Sequence, residues 1–297
     1  MVLPRPVVLL QSVSEGTALM MKLRRVITNV KTKYQNLIIV EFDEYGRALV
    51  LDDLVQSTEA DEYIYHESLT HPIMTTHVEP RNILIIGGGE GATLREVLKH
   101  STVSRAVMVD IDGELVNYAE RDLEVMHQGS FKDSRAEKII MDGKEYVKVT
   151  NNIFDVVVID LTDPYGPEIA RELYTGQFYR EVYKVLTDDG LMVTQAGNSF
   201  YYEETYDFIL QNINSVFPIV REYNVWIPSF GYACNFIIGS KKYDPASLTI
   251  EDINDRLKIR NVKTYFYSGA THKALFLLPI CRRKNYIIRS TLKHSVN

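Results

Sequence analysis

The run Asn82-Ile83-Leu84-Ile85-Ile86 passes directly into Gly87-Gly88-Gly89-Glu90-Gly91-Ala92-Thr93-Leu94-Arg95-Glu96. An unbroken apolar strand that ends in glycines and then in a helical pattern opens a parallel βα unit, because a strand buried on both faces needs helices to cover it. The alternation continues: strands are expected at residues 83–86, 106–109, 139–141, 156–159 and 191–194, and helices at 92–100, 113–122, 175–186 and 203–216. The fold class is therefore α/β, with a doubly wound, mostly parallel sheet. Two further β-like runs, 220–226 and 236–238, are spaced to pair antiparallel at a sheet edge, and segments 250–259 and 274–278 close the rim.

Residues 22–60 read as β, with apolar runs at 26–27, 37–42 and 48–51 around the turn Asp43-Glu44-Tyr45-Gly46. A small antiparallel sheet has exposed edges and little core of its own, so it is expected to pack on the next domain or on another subunit. A helix is expected over 62–70, ending near His71-Pro72. This divides the chain into an N-terminal β domain with its connecting helix, 1–75, and a catalytic domain, 76–297.

A formal net charge of -6 argues against a nucleic-acid binder, which neutralises phosphates with clustered Lys and Arg. Cys234 and Cys281 make no CxxC spacing, which disfavours a disulfide framework or structural zinc and fits a reducing, cytoplasmic setting. The opening residues carry no signal-peptide pattern, and no run approaches the ~18 apolar residues of a membrane span.

The glycines, Gly87 and Gly89 among them, let backbone approach a bound nucleoside, while Glu90 places a carboxylate in the same turn. A phosphate prefers bare N–H groups at a helix N-terminus, so an acid there favours a cationic, sulfonium-bearing nucleoside. Ligands of open parallel sheets bind beyond the carboxyl ends of the strands, and here those ends are acidic almost every time. Asp110 lies roughly twenty residues past the glycine loop, where an acid accepts ribose hydroxyls; a solvated strand-end acid is the plainer alternative. Asp142-Gly143 is a common turn pair that, at a strand end, can also hold an adenine amino group.

The loop Asp160-Leu161-Thr162-Asp163-Pro164 carries the sharpest chemical hint. Two carboxylates pinned in one turn repel unless a cation sits between them, although Asp163 can also serve as a helix cap. A polyamine supplies that cation: one carboxylate holds a distal ammonium while the other deprotonates the attacking nitrogen. For an amine with a pKa of ~10.4, deprotonation at pH 7 costs roughly 4 to 5 kcal/mol, which a poised base in a partly desolvated site offsets. His66 and Tyr65 lie in an acid- and tyrosine-rich stretch that can line a cationic groove, with core packing the plainer reading of the tyrosines. His71, His77, His100, His127, His272 and His294 match no metal spacing and read as surface or capping groups; no metal is expected.

In this order the motifs resemble the spermidine synthase (polyamine aminopropyltransferase) family: Tyr34-Gln35, Leu51-Asp52, Thr58-Glu59 with Asp61 to Glu67, the glycine loop with Leu94-Arg95-Glu96, Asp142-Gly143, and Asp160 to Pro164 with Gly166-Pro167. The resemblance implies a class I methyltransferase-like Rossmann fold, a dimer or tetramer, and transfer of an aminopropyl group from decarboxylated S-adenosylmethionine, a co-substrate rather than a resident cofactor. It implies that Asp160 is the general base and that Asp163 anchors the acceptor amine, with Leu161, Thr162 and Gln195 nearby. Gln35, Asp110, Asp142, Gly143 and Pro167 would hold the methylthioadenosine portion, and Glu90, His66 and Tyr65 would face the aminopropyl and acceptor groups. Many members have Asp at the place of Glu90, Glu at that of Asp110 and Ser at that of Leu161. The segment Ile227-Pro228-Ser229-Phe230-Gly231-Tyr232-Ala233 looks more like thermospermine-forming and broad-specificity archaeal relatives, which leaves putrescine, spermidine and agmatine open as acceptors. Three other readings are compatible with parts of the pattern: an S-adenosylmethionine N-methyltransferase, a nicotinamide oxidoreductase and a non-catalytic polyamine-binding protein. Glu90 weighs against the first two, since it repels a methionine carboxylate and a phosphate alike.

Overall fold

A computed structural model describes residues 7–164 and 172–283 of the chain. Five strands come first and pair antiparallel in chain order: β1 (Val8–Ser14), β2 (Thr17–Lys31), β3 (Asn36–Phe42), β4 (Gly46–Leu51) and β5 (Leu54–Thr58). This sheet starts earlier than the expected residue 22. In β1 the usual alternation is inverted, since Gln11 is buried while Leu10 is exposed, and an apolar-in pattern does not detect it. In β2 two register shifts against β3, between Leu23 and Arg25 and between Val26 and Thr28, break the period of two. β5 follows a two-residue turn in which Asp52 and Asp53 both have positive φ, 46° and 65°, a hairpin geometry for which Asn-Gly is the usual signal.

The second sheet has the order β11-β12-β10-β9-β6-β7-β8, built from β6 (Asn82–Gly87), β7 (Arg105–Asp110), β8 (Ala136–Ile140), β9 (Phe154–Asp160), β10 (Leu186–Gln195), β11 (Ile219–Ile227) and β12 (Tyr232–Ser240). β8, β7, β6, β9 and β10 run parallel, and the β11–β12 hairpin adds antiparallel to β10, as expected for the edge. The chain steps from β6 to one side and later returns to the other as β9, which makes the β6/β9 boundary the topological switch point. Any ligand crevice belongs there.

Between the sheets lies α1 (Glu62–Thr76), which runs a turn beyond the expected stop at Pro72. Proline cannot donate to the carbonyl of Ser68 four residues back. Tyr223 Oη donates to that carbonyl instead, at 2.7 Å, so no buried acceptor is orphaned and the helix continues. The helices α2 (Ala92–Leu98), α3 (Gly113–Asp122), α4 (Glu124–His127), α5 (Gly143–Val149), α6 (Gly176–Lys184) and α7 (Glu203–Asn214) accompany the sheet, with α8 (Ile250–Ile259) and α9 (Gly269–Leu277) following it. α5 occupies a segment read only as a turn: Asp142 is its N-cap and accepts from Lys144 N at 2.8 Å. One apolar cluster joins Val40 and Phe42 of the first sheet, Leu69 and Ile73 of α1, and Ile83 and Val158 of the second. Among the described residues, no helix is long and apolar enough to cross a membrane.

Candidate active site

The glycine loop brings the strand ends together. Gly87 and Gly88 have φ of 83° and 69°, and a Cβ on Gly87 would lie 2.1 Å from the carbonyl oxygen of Asp160. With no side chain in the way, Gly88 N donates to that carbonyl at 2.8 Å and ties β6 to the end of β9. A Cβ on Gly89 would stand 2.6 Å from Asp110 Oδ2, so the loop also closes on β7. Above these ends opens a cavity of about 1270 Å³ including its mouth, walled on the far side by Leu49, Leu51 and Val55 of the first sheet. Every site residue expected from the sequence lines this cavity except Pro167, which lies outside the described residues.

Asp160 forms part of the floor. Its Oδ1 accepts from Tyr65 Oη at 2.8 Å and its Oδ2 from Thr93 Oγ1 at 2.6 Å. Burial raises its pKa, while the charge of His66 and the two hydroxyls pull it back down. Both hydrogen-bond partners are neutral, so the carboxylate keeps its basicity. Asp163 sits further along the same loop, with Oδ1 3.4 Å from Gln195 Nε2 and Oδ2 accepting from Tyr232 Oη at 3.1 Å. Gln195 also donates to Leu161 O at 2.8 Å, and Tyr174 Oη donates to Thr162 O at 3.1 Å, which fixes the loop backbone.

Glu90 is held differently. Its Oε2 accepts from Ser57 Oγ, and its Oε1 lies 2.9 Å from His66 Nε2. The other ring nitrogen of His66 lies 2.7 Å from Glu62 Oε2, and Arg95 clamps Glu62 with bonds of 3.0 and 2.8 Å. Burial alone would strip the charge from His66, but Glu62 and Glu90 outweigh it and raise its pKa to about 10. His66 is thus a buried imidazolium at neutral pH, and Glu90 faces the cavity as half of an ion pair rather than as a lone acid. Sequence reasoning names Glu62, Thr93, Arg95 and Tyr232 only as parts of motifs, with no site role of their own, and does not name Ser57; the i,i+4 spacing of Glu62 and His66 on one helix is the signal that carried this network.

At the end of β7, Asp110 is buried and accepts from Asp112 N at 2.8 Å; burial foremost, with the neighbouring Asp112 charge, raises its pKa to about 6. Asp112 caps α3 and accepts from Thr32 Oγ1 at 2.6 Å and Gln35 Nε2 at 3.0 Å, so Gln35 is oriented by the acid that caps the helix after β7. Gly143 packs where a Cβ would meet Ile86 Cγ2 at 2.3 Å, which keeps Asp142 close against β6.

Three of the remaining histidines depart from the expected surface or capping placement. His71, His100 and His272 are wholly buried rather than at the surface: His71 bonds Glu96 at 2.9 Å and His100 at 3.1 Å, and His272 bonds Tyr267 Oη at 2.7 Å. Burial lowers the pKa of His272 to about 4. His77 and His127 are also buried, and His294 lies outside the described residues. Tyr65, for which core packing was the plainer reading, is buried but spends its hydroxyl on Asp160. Among the described residues, no group of three or more His, Cys, Asp or Glu is placed to hold a metal ion.

A doubly wound sheet with a glycine loop at its switch point and acids at nearly every strand end is the architecture of a nucleoside-binding crevice. Comparison with known proteins narrows the class. The spermine/spermidine synthase domain model matches residues 62–250, and the spermidine synthase tetramerisation domain model matches residues 9–59. The polyamine aminopropyltransferase of Pyrobaculum aerophilum is 53% identical over 283 residues, covering 94% of this chain and 97% of that protein. Polyamine aminopropyltransferase 1 of Hyperthermus butylicus is 49% identical over 84% of this chain and 87% of its own length. A crystal structure of spermidine synthase in complex with the transition-state analogue AdoDATO superposes with a TM-score of 0.87 at 33% identity, covering 98% of this chain and 96% of that one. The chain belongs to the spermine/spermidine synthase family of polyamine aminopropyltransferases.

Proposed function

We propose that this enzyme transfers the aminopropyl group of decarboxylated S-adenosylmethionine to a polyamine nitrogen and releases 5′-methylthioadenosine. The neutral nitrogen attacks the propyl carbon bonded to sulfur; the new C–N bond forms as the C–S bond breaks, and its electron pair returns to sulfur as a neutral thioether. The proton that the amine must lose goes to Asp160. One observation carries this reading: Asp160 is a carboxylate at the switch point, held by two neutral hydroxyls and raised in pKa by burial. Gln35, Asp110, Asp142 and Gly143 hold the nucleoside, with Pro167 assigned there by resemblance, while Gly87 and Gly89 let it approach the backbone. Glu90 and His66 form the wall beside the aminopropyl group. Asp163, Gln195 and Tyr65 face the acceptor, with Leu161 and Thr162 shaping its channel.

The acceptor is an amine of the putrescine, spermidine or agmatine type. The 1–75 and 76–297 division belongs to the same proposal, in which the first unit assembles the enzyme into a dimer or tetramer. Support comes from the matched tetramerisation model and from the exposed apolar side chains Leu10, Met20 and Val26 on β1 and β2. Incubating the enzyme with decarboxylated S-adenosylmethionine and each amine in turn, and separating the products by chromatography, tests the reaction. Methylthioadenosine and a lengthened amine are expected; no methylthioadenosine with any amine would refute it.

A further inference from the structure

Asp61 directly precedes α1, a position from which Asp normally caps the first turn, yet its side chain makes no capping bond. The buried carboxylate reaches instead to the turn between β11 and β12. Its Oδ2 accepts from Ser229 N at 2.7 Å, and its Oδ1 accepts from Ser229 Oγ at 3.0 Å and from Thr58 Oγ1 at 2.7 Å. Ser229 is itself wholly buried, so these bonds have no water to replace them. A second tie comes from β1: buried Gln11 accepts from Val55 N at 2.7 Å through Oε1 and donates to Phe230 O at 3.4 Å through Nε2. Gly231 closes the turn with φ of 72°, and a Cβ there would lie 2.5 Å from Leu19 Cδ1 of β2. The turn is thus fastened to the first sheet on two sides.

This turn delivers chemistry to the cavity. Phe230 lines it, 5.9 Å from the ring of Tyr65, and Tyr232 hydrogen-bonds Asp163. We infer that Asp61 and Gln11 are positioning residues for acceptor specificity: through the turn at 228–231 they set where Phe230 and Tyr232 stand against Asp163, and so the length of amine that fits. The inference rests on the proposed placement of the acceptor at Asp163, and it makes the N-terminal sheet part of the substrate selector. A buried acid that satisfies two donors on a loop and one at the end of β5, at the expense of its own helix end, is explained by the placement of that loop.

The test compares Asp61→Ala, Asp61→Asn and Gln11→Leu with the wild-type enzyme. Asparagine keeps an oxygen for Ser229 N and offers an N–H to the two rotatable hydroxyls, so it restores what alanine removes. Asp61→Ala is expected to raise the KM for the acceptor ~10-fold or more and to change the ratio of kcat/KM between short and long amines. The KM for decarboxylated S-adenosylmethionine should stay within about twofold, Asp61→Asn should recover the wild-type preference, and Gln11→Leu should shift it in the same sense by less. A general loss of fold would lower the active fraction without altering amine preference, and thermal denaturation monitors it. Should Asp61→Ala not fold, Ser229→Ala and Gln11→Leu give the same readout. Unchanged acceptor KM and preference in folded variants would overturn the inference while leaving the proposed reaction intact. Calorimetric titration of each amine in the presence of methylthioadenosine separates the two cases: wild-type enzyme that binds no amine overturns both.

Discussion

Two carboxylates face the same cavity and are held in opposite ways. Glu90 is paired with the imidazolium of His66, whose other nitrogen is gripped by Glu62, itself clamped by Arg95, so the charge of Glu90 is largely matched inside the protein. Among the described residues, the carboxylate of Asp160 takes hydrogen bonds only from the hydroxyls of Tyr65 and Thr93, and burial outweighs these and the charge of His66 to leave it more basic than an ordinary aspartate. The difference supports the proposed roles: a carboxylate ion-paired within the protein serves as a fixed wall, whereas one held by neutral donors can take a proton and give it up. It also revises the simple expectation that Glu90 is a free anion attracting a cation.

Replacing each carboxylate or its partner breaks this contrast in order of size. Asp160→Asn should lower kcat by about 10²- to 10⁴-fold with little change in the KM of decarboxylated S-adenosylmethionine, as read from steady-state kinetics. His66→Gln leaves Glu90 buried without its cation, while Glu62 keeps Arg95, and should cost about 3 to 5 kcal/mol in denaturant-induced unfolding. Because the pKa of His66 is raised in the folded state, its contribution is complete below its unfolded value near 6.5 and fades as pH rises through about 10. The stability gap between wild type and His66→Gln should therefore narrow across that window; a constant gap would mean that His66 is not held charged. Tyr65→Phe and Thr93→Val each remove a donor that favours ionised Asp160, so the acid limb of the kcat profile should move up by about one pH unit. The smallest effect is at the nucleoside end: with Asp110 titrating at about 6, calorimetric affinity for methylthioadenosine should weaken as pH falls through that value, and Asp110→Asn should abolish the dependence.

Much of the molecule was legible because its strongest signals are local. Continuous apolar strands such as 83–86 and 156–159 announce burial on both faces, and the residues at their carboxyl ends are then the site by topology alone. The signals that failed are those set by distant partners. β1 has a polar residue inside because Gln11 serves Val55 and Phe230, and α1 passes Pro72 because a tyrosine 155 positions beyond Ser68 supplies the missing donor. The neutralisation of Glu90 by His66 depends on folding α1 against the glycine loop, which no window of sequence contains. His71, His100 and His272 were read as surface groups because polarity alone suggests exposure, whereas Glu96 and Tyr267 satisfy two of them in the core.

The contrast between the two acids is tested most directly by the ratio of kcat/KM for the amine in wild type and Asp160→Asn, measured from pH 7 to pH 10. If Asp160 serves to take the amine's proton, solution supplies the neutral amine as pH approaches ~10.4, and the ratio should fall steadily toward unity. A ratio that stays constant across the range would contradict the assignment of Asp160 as the base.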